Sequence, residues 1–134
     1  MFTSRKAEIS IEFMVFVGII LVFFIFFFGI IGVKTKEINE STMFNDAQRI
    51  SDRIADEINI AARFEGYYRE FYLPKKLVNG DEYSVVFHKN LRLVEVKWDG
   101  HSVMSTLVTG NITGNIGTEY NMIKNEKGVI IIES

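Results

Sequence analysis

The sequence predicts an α+β protein, a long N-terminal helix followed by a small antiparallel β-sheet of about four strands. Three observations predict it. An uncharged apolar run extends from Phe13 to Val33, apolar residues then recur at helical spacing as far as Ala61, and beyond Gly66 β-branched and aromatic runs alternate with Gly and Asn turns.

The apolar run comes first. A helix rising ~1.5 Å per residue needs about 20 apolar residues to cover a ~30 Å hydrocarbon layer, so residues 8–33 read as a membrane-crossing helix. Phe13, Phe16, Phe23, Phe24, Phe26, Phe27 and Phe28 lie on all its sides, leaving no stripe for water. Gly18, Gly29 and Gly32 each weaken a helix by ~1 kcal/mol relative to Ala, yet Gly is common in transmembrane helices and allows close helix packing. Arg5 and Lys6 flank one end and Lys34 and Lys36 the other, so charge alone does not orient the span.

Residues 34–66 read as an amphipathic continuation. Met43, Ala47, Ile50, Ile54, Ile58 and Ala61 share one helical face, while Asp46, Arg49, Asp52, Arg53, Asp56 and Glu57 occupy the rest. The helix is expected from about Ile9 to Phe64, with the polar stretch Lys34 to Thr42 as the place where a break would fall.

From residue 67 to 134 the pattern is that of a β-rich head. Phe71 to Leu73 lead into Pro74 and read as an extended entry, since the residue before proline is pushed out of the helical region. Tyr83–His88 and Leu91–Trp98, joined by Lys89-Asn90, read as a hairpin, and Asp99-Gly100 turns the chain into Ser102–Val108. Residues 109–117, rich in Gly, Asn and Thr, read as a surface loop, and Val129–Ile132 as a buried strand. Such strands would cover the apolar face of the helix.

Composition bounds the chemistry. At 134 residues without cysteine, the chain holds one domain and an anchor, with no disulfide, thiolate site or cysteine nucleophile. Fifteen basic residues against 17 acidic ones argue against nucleic-acid binding. His88 and His101 sit at expected strand ends, no phosphate-cradling or nucleophile motif occurs, and a head of about 70 residues is small for an enzyme pocket; neither an enzyme nor a cofactor is expected. Two N-glycosylation patterns exist. Asn111-Ile112-Thr113 lies in the expected loop, while Asn39-Glu40-Ser41 lies in or near the helix.

The residues ahead of the apolar run carry the most specific signal. A secretory signal places its small-residue cleavage site after the apolar region. Here the order is reversed: Lys6-Ala7 precede Glu8-Ile9-Ser10-Ile11-Glu12-Phe13. A cut between Ala7 and Glu8 would remove a basic leader, residues 1–7, and keep the apolar helix on the mature chain.

In these residues the chain resembles the archaeal type IV pilin-like proteins with a class III signal peptide. The family pattern is a basic residue, Gly or Ala, the cut, then Gln-x-Ser-x-Glu and an apolar helix. Lys6, Ala7, Ser10, Glu12 and Phe13 match it, and Glu8 stands where Gln is usual. The resemblance implies a prepilin peptidase and other pilin subunits as partners, with no nucleic acid. It implies a single-pass protein of the cell membrane with a cytoplasmic N-terminus before assembly, an extracellular filament after it, and adhesion as the use. It also implies that Glu12 pairs with the new α-amine of a neighbouring subunit, although a carboxylate near a helix N-terminus is favourable without such a partner. Two other readings of the same residues are a single-pass protein whose head binds a ligand or partner, and a pseudopilin of a secretion or uptake machine.

Overall fold

The computed structural model describes the backbone of residues 2–134 and the side chains of residue 5 and of residues 7–134; Met1 and the side chain of Lys6, both assigned to the leader, lie outside the described residues. Helix α1 (Phe2–Ala61) is unbroken. It starts earlier than the expected Ile9 because no Gly or Pro interrupts residues 2–8, and Arg5, Lys6, Ala7 and Glu8 are strong helix formers. Nor does the polar stretch after Val33 break. Thr35 Oγ1 donates to the Ile31 carbonyl at 2.9 Å, and Lys34 lies 3.8 Å from Glu37 one turn on.

The chain divides into two units, Met1–Glu40 and Ser41–Ser134. In the second unit, seven strands follow the helix: β1 (Tyr68–Leu73), β2 (Ser84–His88), β3 (Leu93–Trp98), β4 (His101–Thr106), β5 (Ile112–Gly114), β6 (Glu119–Glu126) and β7 (Val129–Glu133). They form two sheets, one in the order β1-β6-β7-β5 and one in the order β2-β3-β4. Ala47, Ile50, Ile54, Ile58 and Ala61 of the helix are buried in one core with Phe71, Leu73, Val94, Val96, Ile123, Ile130 and Ile132 of the strands. This is the face that the three-and-four spacing marks. The α+β class with its long N-terminal helix is therefore as the sequence predicts, and the strand count is higher.

The additional strands have a physical reason for being hard to read. On β6, the inward positions are Asn121, Ile123 and Asn125, so the period-two apolar pattern is broken twice by asparagines that are nevertheless buried. Each is tolerated because its amide is fully engaged. Asn121 accepts from Gly117 N–H and donates to Gly117 C=O, both at 2.8 Å, and Asn125 donates to the Ala61 carbonyl at the helix end.

β5 lies within the stretch expected as a loop, and it pairs parallel with β7, Ile112 beside Ile130 and Gly114 beside Ile132. Only Ile112 points into the core, too little for a strand signal. Gly114 adopts φ +99°, and a Cβ there would stand 1.9 Å from the Ile132 carbonyl oxygen. Gly114→Ala is accordingly expected to lower the unfolding free energy by about 2–3 kcal/mol, because left-handed strain and a backbone clash act together; a denaturant titration checks it.

Edge strand β4 is sealed by the helix. Gln48 Nε2 donates to the Met104 carbonyl and Asn59 Nδ2 to the Thr106 carbonyl, both at 3.4 Å, while Asn59 Oδ1 accepts from Val108 N–H at 2.9 Å. Ser51 and Asp52 both bond to Ser105 Oγ, at 2.8 and 2.6 Å. On that edge the Met104 and Thr106 carbonyls are thereby occupied by side chains of the helix.

Candidate membrane and assembly segment

The first unit presents the motif residues on one helix. Glu8, Ser10, Glu12 and Phe13 are all exposed, and no hydrogen bond or ion pair joins them to one another or to another described residue. Ala7 and Glu8 are consecutive helical residues. Among the described residues these side chains are therefore not brought together; what they have in common is a place at the entry to the apolar span.

That span is fully uncovered. From Phe13 to Val33 the large apolar side chains are 40–73% exposed, and an 18-residue window of mean hydropathy 3.2 contains no buried residue. The only ring contact within it is between Phe24 and Phe28, one turn apart with centroids at 6.2 Å. A Cβ added at Gly18, Gly29 or Gly32 would meet nothing within 4 Å. The helix is long and apolar enough to cross a membrane. In water this surface would be untenable for a monomer, since exposed apolar patches beyond a few hundred Å² mark an interface or a lipid contact.

The two glycosylation patterns lie in different units. Asn39 is an exposed helical residue, whereas Asn111 is exposed just before β5. Asn111 N–H bonds to Thr109 Oγ1 at 3.1 Å, and its carbonyl accepts from Ile130 N–H at 3.0 Å. The segment is thus a short paired strand with its side chain outward.

The histidines do not converge. His101 packs its ring against Phe44 and Trp98 with centroids 5.4 and 5.8 Å away. His88 instead holds Glu95 on the outer face of β2 and β3, Nε2 to Oε2 at 2.7 Å, with Lys97 Nζ 3.4 Å from the same oxygen. Glu95 is buried by these neighbours although it faces away from the core. The bond from His88, and after it those from Ser102 and Lys97, hold its carboxyl below the usual carboxylate range against the opposing effect of desolvation. A depressed carboxyl pKa contributes stability above its unfolded value, lost as pH falls through the folded one. Replacing Glu95 by Gln should therefore destabilise the second unit at neutral pH and flatten its acid-side melting profile below about pH 4.5; an unchanged profile would remove Glu95 from the acid response.

Among the described residues no three His, Asp or Glu side chains are grouped to hold a metal ion. Tyr83 shows how the long 74–83 connection is fixed. Its hydroxyl donates to the Pro74 carbonyl, and burial together with the nearby Asp46 pushes its pKa up to about 12. The polar seal along β4 and the paired asparagines of β6 escape sequence reading because each looks like a solvated polar residue. The one available signal is that Asn121 and Asn125 flank Ile123 at strand period. Compared with known proteins, the chain matches no family model, no curated protein and no solved structure.

Proposed function

We infer that the chain is a structural subunit of a type IV-like surface filament, held in the membrane by its apolar helix before assembly. The observation that carries this reading is the uncovered Phe13–Val33 span directly following Lys6-Ala7-Glu8-Ile9-Ser10-Ile11-Glu12. A helix apolar on every side and unsupported by its own chain needs lipid or other such helices around it. A filament supplies the second once the first is left behind.

In this reading a prepilin peptidase cuts between Ala7 and Glu8. The α-amine exposed on Glu8 is cationic below pH ~8 and meets Glu12 of a neighbouring subunit, removing two charges from the apolar core. The second unit, with its own core and two sheets, forms the filament surface, where it serves adhesion. Glycans at Asn111, and at Asn39 if it is reached, would decorate that surface.

The test combines two measurements on cells making the protein. N-terminal sequencing of the membrane-extracted chain should begin at Glu8, and material sheared from the cells should contain the chain in fibres by electron microscopy. A chain beginning at Met1 and never found outside the bilayer would overturn the reading in favour of a single-pass protein. Cleavage without extracellular fibres would point to a pseudopilin.

A further inference from the structure

In the second unit, the strand directions gather four connections at one end. They are residues 62–67 after α1, 89–92 between β2 and β3, 107–111 between β4 and β5, and 127–128 between β6 and β7. Hydrogen bonds knit them together. Leu107 N–H donates to the Arg92 carbonyl at 2.8 Å, Gly66 N–H to the Asn125 carbonyl at 3.0 Å, and Asn111 Nδ2 reaches the Gly128 carbonyl at 3.5 Å. Gly110 packs so closely on Lys89 that a Cβ would fall 2.3 Å from the Lys89 carbonyl oxygen.

This end differs in character from the chain as a whole. The chain carries a net charge of −2, yet these connections hold Arg63, Lys89, Arg92 and Lys127 against Glu65, and Glu126, which adjoins Lys127 at the end of β6, is 3.1 Å from Lys124. All four cations are exposed, and among the described residues none is in an ion pair. Between them protrude Phe64, Leu91 and Val108, 60%, 69% and 52% exposed. Arg92 and Lys127 each adopt φ +53°, a region that favours Gly or Asn, so two of the cations occupy tight turns that their own backbones do not favour.

We propose that this end docks on an anionic lipid surface, the cations meeting the headgroups while Phe64, Leu91 and Val108 enter the headgroup and acyl boundary. Charge complementarity selects an anionic partner, and the apolar side chains select lipid among anionic partners. A nucleic acid or other linear polyanion gains nothing from Leu91 and Val108. The opposite end, formed by residues 74–83, 99–100 and 115–118, carries both Lys75 and Lys76 and the acids Asp81, Glu82, Asp99 and Glu119, the last 3.8 Å from Lys75, so docking between copies is separated from lipid docking by the clustering control below. The proposal does not depend on polymerisation, and it applies to the chain without a glycan at Asn111, whose Nδ2 lies at this end.

The experiment uses the full chain in nanodiscs of phosphatidylcholine, so that the apolar helix is already satisfied, and measures flotation with added vesicles. Vesicles of phosphatidylglycerol in phosphatidylcholine should carry the discs, vesicles of phosphatidylcholine alone should not, and added salt should weaken the association. Arg92→Asn with Lys127→Asn suits the turns and should preserve the melting temperature while weakening partition about 25-fold, about fivefold per cation. Leu91→Ser with Val108→Ser should weaken it as well. Equal flotation with both vesicle types, or none with either, overturns the proposal. So does binding to dextran sulfate with flotation unaffected by the serine substitutions, which would make this a polyanion site, or clustering of the discs without vesicles, which would make it a contact between copies.

Discussion

Asn125→Ala is expected to destabilise the second unit by about 2–3 kcal/mol, because the buried Ala61 carbonyl and the Gly128 N–H would lose their partners at once. The side chain is 3% exposed. Its Nδ2 donates to the carbonyl of Ala61, the last residue of α1, at 2.8 Å, and its Oδ1 accepts from Gly128 N–H at 2.9 Å in the turn that starts β7. Its own backbone closes the loop after the helix, donating to the Tyr67 carbonyl at 2.9 Å and accepting from Gly66 N–H at 3.0 Å. One residue thereby ties the helix end, the following turn and the β6–β7 hairpin. Asn125→Asp keeps the acceptor but puts an oxygen against the Ala61 carbonyl, so it should be at least as damaging. Denaturant unfolding followed by the near-ultraviolet signal of Trp98 measures both. A loss below about 1 kcal/mol for Asn125→Ala would mean that solvent replaces the amide.

Glu12→Ala should leave membrane insertion intact and abolish recovery of the chain in sheared filaments. Insertion cannot suffer, since an ionised carboxylate carried to the centre of a bilayer costs about 2.5–3.5 kcal/mol and alanine removes that cost. Assembly should suffer because, in the filament reading, Glu12 is the only acid between Phe13 and the cleaved terminus able to meet a neighbour's α-amine apart from Glu8, which bears that amine itself. The pH dependence has a definite sign. Above about pH 8 the amine loses its proton and the pair its attraction, so filaments of the native chain should loosen on the alkaline side. Resistance to carbonate extraction reports insertion, and the protein content of the sheared fraction reports assembly; normal filament yield from Glu12→Ala would remove the residue from assembly.

The helical parts of this protein were legible because their patterns are long. Twenty-one residues without charge, and then Met43 to Ala61 at spacings of three and four, leave few alternatives to one helix with an apolar half and an amphipathic half. The β2–β3–β4 meander was legible through its turns, although Leu91 and Arg92 belong to the turn rather than to β3 because Arg92 adopts a left-handed conformation. β5 and β6 were hidden by chemistry that imitates loops: Gly114 and Asn111 beside one inward Ile112, and asparagines in place of two core residues. The motif at residues 6–12 was legible as a pattern but not as a geometry. Among the described residues, Glu8, Ser10 and Glu12 share no hydrogen bond or ion pair that would mark them as a site. The basic end of the second unit was invisible to sequence reading because its four cations are spread over 65 positions, from Arg63 to Lys127, and only the strand topology gathers them.

The position of β7 between β6 and β5 sets a timetable for the molecule's birth. Residues 129–133 are synthesised after both of the strands they pair with, yet they occupy the interior of their sheet and receive a neighbour on each side. Until they emerge, β5 has nothing to pair with and the Gly128 N–H cannot reach Asn125. The nascent head must therefore wait, unclosed, while the helix that precedes it is already made, a delay during which helper proteins could act on an open chain.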